Sequence, residues 1–249
     1  MTERLRVGTW NLERSGALHP TRIPAQLGAL NRLNCDVWVL TETHDVLRPD
    51  GHRNAVASSA WQRAGERLVT ITSRHRLTPV PTRNEMFTAA AIVHLPAGSR
   101  PVLVYGTVIT YAHDTAPIGG GTSVPVWSRH RAAVAEQTSE WLDLRRRFPD
   151  HDLCIAGDFN MNLDGTRWYG VKDARETLLR GLEACEVRCL TTQDLRQSHP
   201  QIGRASVDHI CFTQRAGMHV SLEAWGGTIE GTRLSDHNGM AVDILLGSN

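Results

Sequence analysis

No stretch of the 249 residues approaches the roughly 18 consecutive apolar residues of a membrane-spanning helix, so no such span is expected. Surplus charge of one sign is also missing: Lys plus Arg is 27, Asp plus Glu is 26, and the formal net charge is +1. Without a cationic coat there is no bulk electrostatic drive toward tight nonspecific nucleic-acid binding, and the short run Arg145-Arg146-Arg147 does not supply one. Cysteine is scarce and odd in number: Cys35, Cys154, Cys185, Cys189 and Cys211. Most lie inside apolar runs, and Cys185-x-x-x-Cys189 alone makes a poor zinc signature, so they read as reduced, buried thiols. The first six residues carry two arginines and a glutamate and lead at once into a structured pattern. No signal peptide is visible there, and the compartment expected from both observations is the cytoplasm. Internal repeats, low-complexity segments and linkers are absent. Gly119-Gly120-Gly121 lacks a following Gly-Lys-Ser/Thr, which argues against a nucleotide cradle of the Walker kind.

What remains is an ordinary globular composition, 41% hydrophobic and 21% charged, with no compositional break. One domain spanning residues 1–249 is expected. Strand-length apolar runs rich in Val, Ile and Thr recur at residues 4–10, 36–40, 68–71, 88–95, 101–110, 153–156, 206–212, 219–222 and 239–246. Helical spacing appears over residues 24–33, 127–148 and 173–184. Many strands with few, scattered helices predict two packed sheets with helices outside. Two long loops, residues 112–126 and 196–205, interrupt the pattern, and loops of that length are often functional.

Acidic and amide residues repeatedly end the apolar strands. The first reads Leu5-Arg6-Val7-Gly8-Thr9-Trp10-Asn11-Leu12-Glu13, where period-two alternation puts Asn11 and Glu13 on the side of Leu5 and Val7. A second ends in Thr41-Glu42, and a third in Gly157-Asp158-Phe159-Asn160. Asp208 shares a face with Ile210 and Phe212, and Ser235-Asp236-His237 opens the last apolar stretch. A carboxylate at a buried strand end is costly unless it is paired or binds a cation. Any one of these residues could be a turn former or a helix cap. Should the strand ends meet, Glu13, Glu42, Asp158 and Asp236 offer hard oxygen ligands for Mg²⁺ or Mn²⁺. The pattern alone leaves a metal site and separate structural roles both open.

In order and wording these blocks, Thr9-Trp10-Asn11-Leu12-Glu13, Leu40-Thr41-Glu42, Gly157-Asp158-Phe159-Asn160, Val207-Asp208-His209-Ile210 and Ser235-Asp236-His237, resemble the endonuclease/exonuclease/phosphatase superfamily. The resemblance runs from about residue 5 to 246. It implies an α+β fold: a four-layer α/β/β/α sandwich of two packed, mainly antiparallel sheets with outer helices, and a site at one edge. It also implies a Mg²⁺-dependent phosphoric ester hydrolase (Mn²⁺ being the alternative ion). Glu42 would be the principal metal ligand, with Glu13 and Asp236 contributing directly or through water, and Asn11 would orient Glu42 and touch phosphate. Asp158 would be the general base or water orienter, and Asn160 a donor to phosphate or to that water. Asp208 would hold His237 as an imidazolium against the developing charge.

Tyr111 follows the strand at residues 101–110, where members of the superfamily carry a tyrosine or histidine, and a phosphate or leaving-group contact is implied for it. His113 is its rival. Arg204 and His199 are placed at the substrate entrance, and Trp168 is the stacking candidate for a base or ring. His209 points to the opposite face from Asp208 and reads as a packed core histidine. Trp10, Trp38 and Trp141 read as core, and Trp61 and Trp225 are left without a role. The expected partner is nucleic acid or a phosphorylated small molecule. Abasic-site enzymes tend to carry an aromatic shortly before the Asp208 block, and Gly203-Arg204-Ala205-Ser206 departs from that. The leading expectation is a nuclease. A phosphomonoesterase or a small-molecule or lipid phosphodiesterase is the alternative, and a noncatalytic phosphate-binding module a third.

Overall fold

Along the chain run β1 (Glu3–Asn11), α1 (Arg22–Leu33), β2 (Val37–His44), β3 (Asn54–Ala57), β4 (Glu66–Ser73), β5 (Arg76–Val80), β6 (Thr88–His94), β7 (Val102–Val108), α2 (Ser128–Arg147), β8 (Asp152–Asp158), α3 (Lys172–Ala184), β9 (Val187–Cys189), β10 (Asp208–Thr213), β11 (His219–Trp225), β12 (Thr228–Ile229), β13 (Thr232–Arg233) and β14 (Gly239–Leu246). The computed structural model describes residues 3–14, 20–96, 99–116, 122–215 and 218–246. Gly119, Gly120 and Gly121 lie outside the described residues.

Two six-stranded sheets carry the fold, in the orders β11-β14-β1-β2-β4-β3 and β5-β6-β7-β8-β10-β9, beside a small β12-β13 ribbon. Each large sheet has one parallel pair, β1 with β2 and β7 with β8, and is otherwise antiparallel. Parallel neighbours need a crossover, and α1 and α2 supply the two crossovers. Both parallel pairs therefore end their strands at the same kind of edge, where loops leave the sheet.

Alternation sorts the side chains into layers. From β1 and β2, Leu5, Val7, Val37 and Val39 meet Val104, Ala156, Ile210 and Phe212 of the second sheet in an apolar interior. Trp10, Trp38 and Leu40 point the other way, under Ala29 and Leu30 of α1. Leu103, Tyr105, Leu153 and Ile155 face α2 and α3 through Val134, Trp141, Leu178 and Leu182. The order helix, sheet, sheet, helices is the expected four-layer sandwich. Trp10, Trp38 and Trp141 are fully buried, as their spacing predicts. Trp225 joins them, edge-on to both Trp10 and Trp38 at 5.7 and 6.1 Å.

The strands that alternation did not reveal are β3, β5, β9, β12 and β13, of two to five residues each. At these lengths none holds enough residues for an alternating or continuous apolar run to stand out. Gly157 has φ 134°, and a Cβ there would lie 2.1 Å from the Thr107 carbonyl oxygen on the neighbouring strand. Only glycine lets β8 run this close to β7 immediately before Asp158.

Candidate active site

The interior faces of β1, β8 and β10 lose their apolar residues at one edge of the sandwich. Asn11 continues the row of Leu5 and Val7, Asp158 that of Cys154 and Ala156, and Asp208 that of Ile210 and Phe212. Asn11, Asp158 and Asp208 are each 1% exposed. The register places Asp208 directly across from Asp158. Two carboxylates facing each other in a buried edge repel, so their charge must be answered locally.

His237 provides one answer. Its Nδ1 lies 2.7 Å from Asp208 Oδ2, and one ligand atom from each of Asp158, Asp208 and His237 falls within 4.8 Å of the others. Burial works against the charged imidazole, but Asp208, then Asp158 and Asp236, overcome it and push the His237 pKa up to about 10. Asp158 is shifted upward as well, first by burial and then by the facing Asp208, while His237 and the Asn160 N–H oppose the shift. Asp158 Oδ1 accepts from the Asn160 backbone N–H at 2.8 Å, and Oδ2 accepts from Asn11 Nδ2 at 3.0 Å.

Asn11 also joins the two sheets at this edge. The same Nδ2 lies 3.3 Å from Glu42 Oε1, so one amide bridges Asp158 and Glu42. By strand parity Glu42 belongs with Trp38 and Leu40 on the helix side. Its φ of 45° breaks the alternation of β2 and swings the carboxylate toward Asn11. Asn160, at φ 45°, donates from Nδ2 to the Ile109 carbonyl at 2.8 Å.

Alternation does not carry through to Glu13. β1 stops at Asn11, Glu13 has φ 52°, and its backbone N–H donates to Asn11 Oδ1 at 2.9 Å. Its carboxylate is held by Arg22 at 3.2 Å and Arg233 at 2.7 Å. Asp236 is more open, 4.0 Å from His237 Nε2 and 3.8 Å from a guanidinium nitrogen of Arg204. Tyr111 and His113 are exposed beyond the end of β7, and the Tyr169 hydroxyl accepts from the backbone N–H between them, on Ala112, at 3.2 Å. Trp168, 52% exposed, stands next to Tyr169 on the loop that follows Asn160. His199 is bonded to Ser198 Oγ at 2.8 Å, and among the described residues no hydrogen bond or ion pair joins it to the cluster. His209 is buried as expected, bonded to Thr191 Oγ1 at 3.1 Å and the Met161 carbonyl at 2.9 Å.

Three residues near the cluster had no assigned part. Ser235 donates to the Asn11 carbonyl at 2.6 Å and accepts from the His237 N–H at 2.9 Å, which clamps the His237 turn to β1. Its place in Ser235-Asp236-His237 was the available signal. Arg14 Nε lies 2.8 Å from Glu42 Oε2, and its guanidinium sits 5.9 Å from the centre of the Trp61 ring. Nothing in the spacing of Arg14 and Trp61 foretells that meeting, because a reversal after β1 creates it.

No family model matches the chain, and no curated relative does. Solved structures do match over nearly its whole length. An endonuclease/exonuclease/phosphatase from Beutenbergia cavernae DSM 12333 is 18% identical with a TM-score of 0.63, over 98% of this chain and 72% of its own. The abasic-site (AP) endonuclease LMAP from Leishmania major is 14% identical with a TM-score of 0.65, over 98% and 88%. The human Nocturnin catalytic domain with bound sulfate is 15% identical with a TM-score of 0.65, over 99% and 98%. At such identities the likeness is one of fold: this chain has the DNase I-like sandwich that its motifs led one to expect.

Proposed function

We propose that this chain is a divalent-metal-dependent hydrolase of phosphodiester bonds, acting on nucleic acid or nucleotides. The observation that carries the reading is the meeting of Asp158, Asp208 and His237 at a strand-end edge that Asn11 bridges to Glu42. Fold alone does not choose chemistry, so the argument rests on these groups.

The donor set fits a hard divalent cation: carboxylate oxygens of Glu42, Asp158 and Asp208 gather at one edge. Asp208 Oδ1 is buried and has no hydrogen-bond partner among the described residues, a costly state that a nearby cation or substrate proton relieves. Glu42 is the principal ligand in this reading and Asp236 its neighbour, while Glu13 serves mainly to hold Arg22 and Arg233. Bound Mg²⁺ or Mn²⁺ would neutralise charge on the phosphoryl oxygens.

The chain's own groups do the rest. Asp158, fixed by Asn11 and by the Asn160 N–H, accepts the proton of the attacking water. His237, kept charged by Asp208, presents its Nε2–H to a nonbridging oxygen as charge builds there. Asn11 holds the base and the metal carboxylate at a fixed separation. Tyr111, His113, Arg204 and Trp168 form the outer contacts to substrate.

The test incubates purified protein and Mg²⁺, with and without EDTA, with single- and double-stranded DNA and RNA and with bis(p-nitrophenyl) phosphate. Metal-dependent diester cleavage that Asp158→Asn removes is the expected result. Absence of cleavage throughout the panel overturns the reading. Phosphate release from nucleotide or sugar phosphates with every diester intact replaces it with a phosphomonoesterase.

A further inference from the structure

Arginines stand on the carboxylates at the outer rim of the site: Arg14 on Glu42, Arg22 and Arg233 on Glu13, and Arg204 on Asp236. Arg14 differs from the others because it is held on two sides. Consecutive left-handed residues, Glu13 at φ 52° and Arg14 at φ 43°, reverse the chain after β1. The turn is pinned by Leu12 N–H to the Thr41 carbonyl and Arg14 N–H to the Glu42 carbonyl, both 2.8 Å. Non-glycine residues rarely take this conformation, so two in succession mark a turn fixed by its surroundings. The reversal lays the guanidinium over Trp61 while Nε pairs with Glu42. Trp61 in turn packs edge-on against Phe87, with ring centres 5.9 Å apart. The Arg14 side chain remains 43% exposed.

A planar cation backed by an indole, its side chain 43% exposed, suits a phosphate diester oxygen, and its outer face suits a base. We propose that Arg14, supported by Trp61, binds the phosphate next to the scissile one, so that the substrate is a polynucleotide strand and not an isolated diester. This rests on the hydrolase reading above and selects within it. The Arg14–Trp61 stack lies on the Glu42 side of the centre. Trp168, the aromatic expected to stack, follows Asn160 on a loop of the other sheet. A strand crossing the centre meets an aromatic on each side.

The experiment measures binding of a fluorescein-labelled single-stranded oligodeoxynucleotide of about 12 nucleotides, within known single-strand site sizes. Anisotropy is followed in EDTA, with no cleavage, across about 50 to 200 mM salt. For Arg14→Ala, the slope of log affinity against log salt is expected to fall by about 0.7, the share of one phosphate contact. For Arg14→Lys, the slope stays and affinity drops, because ammonium keeps the charge and loses the stack. Trp61→Ala is expected to weaken binding about fivefold or more at unchanged slope. Equal slope and affinity in wild type and Arg14→Ala, with both folded by circular dichroism, overturn the proposal. So does a wild type that binds no oligonucleotide yet hydrolyses bis(p-nitrophenyl) phosphate with Mg²⁺, a result that leaves the hydrolase reading standing.

Discussion

Each face of the second sheet meets a histidine, and one of the two is charged while the other is neutral. His237 stands at the interior edge, and His130, in the first turn of α2, on the helix-covered face. Burial disfavours the imidazolium in both. Opposite His237 are Asp208, Asp158 and Asp236, and its pKa rises to about 10. His130 instead meets the Phe159 carbonyl at 3.3 Å, and desolvation, with Arg131 and Arg175 adding to it against the Phe159 and Asn160 backbones, takes it down to about 4. Depth therefore does not decide the charge of a buried group in this protein; the ionised neighbours do. The same β8 segment feeds both sites, since Asp158 faces His237 and the next carbonyl, Phe159, faces His130.

The largest effect is expected from Asp158→Asn. Removing the proposed general base should lower diester turnover by about 10²- to 10⁴-fold, read with bis(p-nitrophenyl) phosphate. Wild-type turnover in that variant would remove Asp158 from the mechanism. Asp208→Asn strikes at the contrast itself, because it leaves His237 buried without its nearest carboxylate. Turnover should fall by about 10²-fold, and the His237 ring resonances should titrate well below their wild-type midpoint.

His130→Gln probes the neutral partner. His130 stays uncharged in the fold down to about 4 whereas the unfolded chain takes its proton near 6.5, so its contribution is intact above 6.5 and lost as pH falls toward 4. The full loss is about 3 kcal/mol, and the variant should show a correspondingly flatter decline of urea stability between about pH 6.5 and 4.5. An unchanged decline would show that His130 is not what makes this face acid-sensitive. The smallest effect belongs to Thr191→Val, which deprives buried His209 of one hydrogen bond: about 1 kcal/mol of stability and no change in turnover.

Wherever strands were long and alternating, the sequence alone showed which residues share the interior face. Asn11 shares the face of Leu5 and Val7, and Asp208 that of Ile210 and Phe212, because period two holds to the last residue of β1 and from the first of β10. Parity misleads at Glu42 and Glu13, where left-handed residues redirect the chain, and no apolar spacing encodes a sign change in φ. The strand-end motifs named Asp158 and His237, but not the proximity of Asp158 to Asp208 across a register, which depends on strands about 50 residues apart. Arg14 and Trp61 were illegible for a related reason. Their contact is made by a turn, and each alone looks like any surface arginine or half-buried indole.

Position 157 shows how tightly two backbones hold Asp158. The carbonyl of Thr107 already fills the volume in which any side chain would begin. In a library that randomises this codon and selects for folded protein, glycine should be the sole survivor, whatever drift the surrounding surface tolerates. The spot next to Asp158 is thus defended by sterics before chemistry has any say.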